Sequence, residues 1–508
     1  MELTLQLDSD SDLPLHQQIY RQLREAILIG ELRSQQRLPA SRYLAQTLGV
    51  SRTTITQSYD QLMSEGYLET RPGAGTFVCS QLPEELLEAY LPKMKALPEN
   101  AQKLEAALDE ATLSAYGSRL VHTPDRTFTP SAELSFVYGV PALDQFPLKL
   151  WQKLCARRAA ASLDWMHYSA DIMGYAPLRE QIAEYISQIR AIRCSPEQIL
   201  ITNGTQQALS LIVRLLVGHA GEIPHSIAVE NPGYLSAVKI FESSGASLVP
   251  VPVDAEGLMV EGPNGLRSQS TKALIKLVYV TPSHQFPTGV LMPLSRRLAL
   301  LQWAQENDAL IIEDDYDSEF RYSGRPTPAL QGLDSYGQVL YIGTFSKVMF
   351  PGLRLGYIVL PQSLVPIFRR SKWLCDRQCS ILDQQTLTDF IAEGHMAKHI
   401  RRMRNLYAKR RDALVRGLRQ CAQDASVLGD ESGLHVMVQS LTQRCDQDLI
   451  AEARAKGVLL FSAQEQYWQT DDSCRIEKGN YIFGFGNISE QAIQVAFARL
   501  EPVFASLD

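Results

Sequence analysis

Five short apolar runs do most to constrain what this chain can fold into: QILIT, SIAVE, ALIKLVYVT, ALIIEDD and QVLYIGT, all between residues 198 and 344. Each is long enough for a buried strand and too short for a buried helix. Helical patterns separate them at intervals of roughly 25–35 residues. Such spacing excludes tight hairpins and calls for crossover helices, which join parallel strands. A large α/β domain with a mostly parallel sheet is expected, covering residues 131–508. After residue 360 the pattern turns helix-rich and leads to a smaller α/β end piece. No apolar stretch of about 18 or more residues occurs, so no membrane span is expected. The acidic opening MELTLQLDSDSD does not read as a signal peptide, and a cytoplasmic protein is expected.

In an open α/β sheet, ligands bind beyond the carboxyl ends of the strands. Here every run ends in polar residues. After QILIT, a helix opens at NGTQQ, where Gly204 and Thr205 offer backbone N–H groups and a hydroxyl to a phosphate. After SIAVE comes NPGY, whose Tyr234 could lie flat on an aromatic ring. PSHQFPTG brings His284 near a phenolic oxygen. ALIIEDDYD ends a buried strand on Asp314, which is costly unless it meets a positive partner such as a protonated pyridine nitrogen. YIGTFSK presents Lys347, with Thr344, Ser346 and Arg354 able to hold phosphate. Singly, each feature has a plainer reading: an exposed lysine, or an Asp-Asp pair acting as metal ligand or helix cap. No G-x-x-x-x-G-K-[ST] precedes Lys347, which argues against an ATP loop.

Residues 11–79 read as a separate small unit. One helical stripe carries Leu15, Ile19, Leu23, Ile27 and Leu28. Two further helices follow, with Ser41 expected to cap the first, Gly49 in the turn and Ser51 capping the second. YLETRPGAGTFV reads as a hairpin, so its glycines are not a dinucleotide loop. The net charge of −7 gives no global attraction for nucleic acid, so DNA binding needs a local patch. Between Arg33 and Tyr59 there are arginines and no acidic residue, and the first 80 residues contain no lysine. Positive charge is thus concentrated on the helix-turn-helix, as a DNA reader requires, although a helical adaptor with solvated arginines would share the composition. Residues 80–130 are charged and proline-interrupted, and suit a partly helical linker. Of eight cysteines only Cys375 and Cys379 lie close together, with no second pair, so reduced thiols and no metal site are expected.

The LPASR, VSRTT and GYLETRPGAGTFV elements resemble a GntR-type winged helix-turn-helix. That likeness implies that Arg42, Arg52, Thr53 and Thr54 contact double-stranded DNA and that Gly75 lies at the wing tip. Thr56 stands where some relatives carry another arginine, so base preference does not transfer. The ordered set NGT, NPGY, PSHQFPTG, EDDYD and TFSK resembles the fold type I, pyridoxal phosphate-dependent aminotransferases. The likeness implies an internal aldimine at Lys347 and an Asp314–pyridine pair. Tyr316 and His284 would reach the phenolic oxygen, and Tyr234 would stack on the ring. Gly204, Thr205, Thr344, Ser346 and Arg354 would cradle the phosphate. Phe286 replaces the asparagine usual before the PTG element.

Together the two halves are similar to the MocR regulators, which implies a head-to-tail homodimer that senses pyridoxal phosphate. Ile482 and Ser236 stand where relatives carry carboxylate-binding arginines, and Arg475 lies in an apparent insertion. Loss of both forks points to the cofactor itself as effector, with vitamin B6 metabolism the favoured target. A working aminotransferase with an attached DNA reader, or an amino-acid-responsive regulator, is the alternative.

Overall fold

A computed structural model of the chain describes residues 5–8, 11, 13–84, 113–121, 123, 134–169, 171–217, 226–324, 327–422, 425–439, 445–468 and 479–505. The chain forms two units, Met1–Thr112 and Leu113–Asp508.

The first unit contains α1 (Leu15–Leu28), α2 (Ser41–Leu48) and α3 (Arg52–Ser64), then a ribbon of β1 (Leu68–Arg71) and β2 (Gly75–Val78). Ile19, Leu23 and Ile27 pack in one core with Leu44, Ile55, Tyr59 and Leu62. Leu15 and Leu28, expected on the same stripe, are instead 37% and 40% exposed. At about 100° per residue, Leu28 points roughly 140° away from Leu23, and Leu15 about 80° the other way. Ser51 caps α3, its hydroxyl accepting from the Thr54 N–H at 3.1 Å. The expected Ser41 cap is corrected: Ala40 holds the cap position without a side-chain bond, and Ser41 is the first helical residue. Gly49 ends α2 in the left-handed region at φ 66°, which lets the chain turn at once into α3. The Ser58 hydroxyl donates to the His16 carbonyl at 2.7 Å and ties α3 to α1. The ribbon is antiparallel, pairing Leu68 with Val78 and Arg71 with Gly75.

In the second unit, β3 (Leu134–Ser135) precedes an eight-stranded sheet of β4 (Ile199–Thr202), β5 (Ser226–Asn231), β6 (Ser247–Asp254), β7 (Gly257–Leu258), β8 (Ile275–Val280), β9 (Leu310–Asp315), β10 (Val339–Thr344) and β11 (Gly356–Val359). Their order is β4-β11-β10-β9-β8-β5-β6-β7. The pairs from β10 through β9, β8 and β5 to β6 are parallel. Antiparallel β11 lies between β10 and β4. This is the mostly parallel sheet that the sequence predicts, and the five apolar runs are β4, β5, β8, β9 and β10. Helices Val365–Cys375, Ile381–Ala392 and His395–Cys421 lead to a smaller sheet. That sheet is formed by β12 (Ser426–Leu428), β13 (His435–Gln439), β15 (Phe461–Ser462) and β16 (Tyr481–Gly484), while β14 (Val458–Leu459) pairs with β3.

Of the stretch read as a linker, residues 85–112, 122 and 124–130 lie outside the described residues. Its helix Ala115–Leu120 lies against helix Leu235–Ser243, with the Arg119 guanidinium donating to the Ser243 carbonyl at 3.3 Å.

Candidate functional site

Beyond the carboxyl ends of β4, β5, β8, β9 and β10 opens a cleft of about 1270 Å³. Thr205, Tyr234, Asp314, Tyr316, Thr344, Ser346, Lys347 and Arg354 all line it. Residues spread over 150 positions of sequence converge here because parallel strands deliver every carboxyl end to one edge. The Lys347 amine donates to the Gly139 carbonyl at 2.6 Å. Burial pushes its pKa down, partly offset by the charges of Asp317 and Asp314. Gly139 has φ 77°, and a Cβ there would stand 2.7 Å from the Lys347 amine, so a side chain would strain the backbone and push that amine aside.

Alternation along β9 separates the two adjacent aspartates. Asp315 turns away from the cleft, where the Arg190 guanidinium at 2.8 Å and the Tyr341 hydroxyl at 2.8 Å donate to it. Asp314 faces the cleft. The Tyr279 hydroxyl donates to its Oδ2 at 2.8 Å, while Oδ1 is buried without a partner. Burial pushes this carboxyl up to about 7. A buried carboxylate oxygen left unsatisfied is costly, and a protonated ring nitrogen would satisfy it. The residues present therefore fit a pyridine cofactor.

The opposite end of the cleft suits an anion. Helix Thr205–Leu216 begins here, with Gly204 before it at φ 88°. Arg354, itself left-handed at φ 50°, reaches over Gly204 and donates to the Asn203 carbonyl at 2.8 Å. A Cβ at Gly204 would lie 3.1 Å from that guanidinium. Asp376 braces the turn from afar, accepting from the Asn203 amide at 2.7 Å and the Gln207 amide at 2.6 Å. Buried Lys372 pairs with Asp376 at 2.7 Å and lies 3.4 Å from the Cys379 thiol. Of the two neighbouring cysteines, Cys375 is exposed and Cys379 buried.

His284 is placed differently from expectation. It is 1% exposed and sits behind Tyr316 rather than lining the cleft. The Tyr316 hydroxyl donates to the His284 carbonyl at 2.8 Å and lies 3.2 Å from its Nδ1, which is 3.1 Å from Asp317 Oδ2. The imidazole is hemmed in by Gly289 and Gly433, where a Cβ would come within 2.9 Å and 2.0 Å of it. Asp317 also accepts the Leu434 N–H at 3.2 Å, joining this group to the smaller sheet. Sequence reasoning missed Asp317, His435, Tyr279 and Gly139. Asp317 alone left a local signal, as the last acid of EDDYD. His284, Asp317 and His435 place ligand atoms within 4.8 Å of one another, a spacing that could admit a cation. Each is already hydrogen-bonded to protein, His435 through Nε2 and the Pro287 carbonyl at 3.1 Å.

One wall of the cleft is apolar. Phe286 packs with Met437, Ala463 and Ile482, and against Tyr138, Tyr234 and Tyr316. Ile482 is fully buried, and Ser236 lines the cleft.

In the first unit, Arg42, Arg52 and Thr53 are exposed at the starts of α2 and α3, and Thr54 is half-buried, its hydroxyl 2.8 Å from that of Ser51. The turn of the ribbon is centred on Gly73 at φ 75°. Gly75 opens β2 beside the Arg37 guanidinium, 2.9 Å from where a Cβ would stand.

Comparison with known proteins follows the same division. Residues 15–78 match the bacterial regulatory proteins of the gntR family, and residues 141–476 match aminotransferase class I and II. The chain is 37% identical to the Rhizobium meliloti protein named "Probable rhizopine catabolism regulatory protein MocR", over 99% of this chain and 96% of that one. It is 30% identical to the pyridoxine biosynthesis transcriptional regulator PdxR of Corynebacterium glutamicum, over 98% of both chains. The crystal structure of Pyrococcus horikoshii kynurenine aminotransferase is similar with a TM-score of 0.66 and 27% identity, covering 83% of this chain and 98% of that one. Class I and II aminotransferases are pyridoxal phosphate-dependent, and a GntR helix-turn-helix is a DNA-binding module. Among the described residues, no helix is long and apolar enough to cross a membrane. With a gntR-family reader ahead of an aminotransferase domain, and relatives of the same build along its whole length, the chain belongs to the MocR-type transcriptional regulators of the GntR family.

Proposed function

We propose that the large domain binds pyridoxal phosphate and that its loading changes how the reader holds DNA. The observation that carries this reading is Asp314 Oδ1, a buried acceptor without a partner, in one cleft with a lysine whose pKa burial pushes down. When bound, the cofactor supplies an electrophilic carbonyl and an electron-accepting ring. Lys347 is the amine that would meet that carbonyl, since an uncharged amine is the nucleophilic form. Asp314 would hold the ring nitrogen. Tyr316, positioned by His284, would reach the phenolic oxygen, and Tyr234 would cover the ring. Gly204, Thr205, Thr344, Ser346 and Arg354 would bind the phosphate. In the reader (residues 11–79), Arg42, Arg52, Thr53 and Thr54 would meet the duplex and the wing near Gly75 the adjacent groove.

The sensor role is favoured over transamination because Ile482 and Ser236 offer no fork to a substrate carboxylate. At most vestigial transaminase activity is expected. The identity to a pyridoxine biosynthesis regulator supports vitamin B6 metabolism as the controlled process. A head-to-tail homodimer is proposed on the family likeness.

The test is a mobility shift with DNA upstream of the chain's own gene, with and without cofactor, beside the visible absorbance of the loaded protein. Lys347→Ala should lose the visible band and the cofactor dependence of DNA binding together. DNA binding indifferent to cofactor in a protein that shows the band would overturn the sensor reading.

A further inference from the structure

We infer that Asp317 is a positioning residue: through the imidazole of His284 it holds the Tyr316 hydroxyl as a hydrogen-bond donor toward the phenolic oxygen of the cofactor. The inference rests on the cofactor reading above and adds to it the group that sets the direction of one hydrogen bond.

Asp317 follows β9 directly and is 1% exposed. Its Oδ2 accepts the Leu434 N–H at 3.2 Å and lies 3.1 Å from His284 Nδ1. A Cβ at Gly433 would stand 2.6 Å from that same oxygen, so the carboxylate is closely packed on this side. Its Oδ1 is buried without a partner among the described residues. Burying a carboxylate with one oxygen unsatisfied is costly, and accepting one backbone N–H does not require that charge.

A neutral imidazole carries one N–H, so one nitrogen donates and the other accepts. With the proton on Nε2, a bare Nδ1 would face the Asp317 carboxylate, acceptor against acceptor, and the Nε2–H would be buried without a partner. With the proton on Nδ1, the imidazole donates to Asp317, and only an acceptor is left unmatched at Nε2. An orphaned buried N–H is the rarer and costlier of the two. Asp317 thus fixes His284 as the Nδ1–H tautomer.

That choice sets the direction of the Tyr316 hydroxyl. His284 Nδ1 also lies 3.2 Å from the Tyr316 oxygen, to which an Nδ1–H can only donate. The tyrosine proton is thereby kept off the imidazole. It goes to the His284 carbonyl at 2.8 Å or to an acceptor in the cleft, which Tyr316 lines. An ionised phenolic oxygen is a stronger acceptor than a neutral carbonyl. In the other tautomer a bare Nδ1 would compete for the same proton.

The test compares Asp317→Asn with Asp317→Leu in the full-length protein. Both remove the charge, and only asparagine keeps an acceptor for the Nδ1–H. The other titratable neighbours, Asp314, Asp315, Glu230, Lys347 and His435, stay the same in both variants. A donor to an oxygen favours its more negative form, so losing the donor raises the pH at which the visible band of the loaded protein converts. The midpoint of the leucine variant should lie about one pH unit above that of the asparagine variant, the scale of one hydrogen bond. In a Tyr316→Phe background the two midpoints should coincide. Independently of any change at Asp317, isotope-edited NMR of the cofactor-free parent should show the His284 proton on Nδ1, with His284→Gln identifying the signal. Equal midpoints for the two variants, a difference that survives in Tyr316→Phe, or a proton on Nε2 overturns the positioning role and leaves the cofactor reading standing. Absence of any visible band in the parent overturns the cofactor reading itself, and this inference with it.

Discussion

Replacing Asp314 by asparagine should move two observables in opposite directions. Burial pushes the Asp314 carboxyl from its usual 3.8 to about 7 in the chain without cofactor. A raised carboxyl pKa leaves stability intact below the unfolded pKa and erodes it as the pH rises through the folded one. A shift of about three units is worth roughly 4 kcal/mol, fully expressed at about pH 8. Asparagine keeps the shape and can still accept the Tyr279 hydroxyl, but never ionises. Its amide nitrogen would face the cleft, at a cost of about 1–2 kcal/mol if unpartnered. The cofactor-free variant should therefore be about 2–3 kcal/mol more stable than the parent at about pH 8, with the gap narrowing by roughly 2 kcal/mol at about pH 5.5. Cofactor binding should go the other way. Without an ionised partner for the ring nitrogen, loading should weaken by about 2–3 kcal/mol, or roughly 30- to 150-fold. Urea denaturation of the cofactor-free proteins at both pH values gives the first quantity, and absorbance titration with pyridoxal phosphate the second. A variant that loads as the parent does, or that is less stable at the higher pH, would refute the assignment of Asp314 to the ring nitrogen.

Two further substitutions probe the lysine and the reader. Gly139→Ala places a methyl 2.7 Å from the Lys347 amine, at a positive φ, and should slow and weaken cofactor loading by about tenfold. Far-UV circular dichroism should be unchanged, and normal loading would mean that the lysine leaves Gly139 freely. Arg52→Ala, at the exposed start of α3, should cost about 1–3 kcal/mol of operator affinity. If Arg52 meets a phosphate, the salt slope should fall by about one and all sequences should weaken alike; if it meets a base edge, discrimination at one position should relax.

The sequence could be read where the chemistry is local. β4, β5, β8, β9 and β10 are buried on both faces, so each appears as an uninterrupted apolar run. β6 was not legible because Pro250 and Pro252 argue against a strand; it is tolerated beside the two-residue β7 at the sheet's end. β11 escaped because four residues, the first a glycine, give too short a pattern to separate from a loop. The choice between Asp314 and Asp315 lies within reach of sequence, since neighbours on a strand face opposite ways and only one can enter the cleft. His284 shows the boundary of that logic. Its position after β8 implies nearness to the site, but the loop folds so that its imidazole sits under Tyr316, against Gly289 of the same loop and Gly433 of the smaller sheet's approach. Asp376, which braces the anion turn, and Leu434, whose N–H binds Asp317, arrive from more than a hundred residues away. No periodicity encodes such encounters. Asp376 comes from the end of helix Val365–Cys375 and Leu434 with the start of the smaller sheet, so each meets the site only once the tertiary packing is complete.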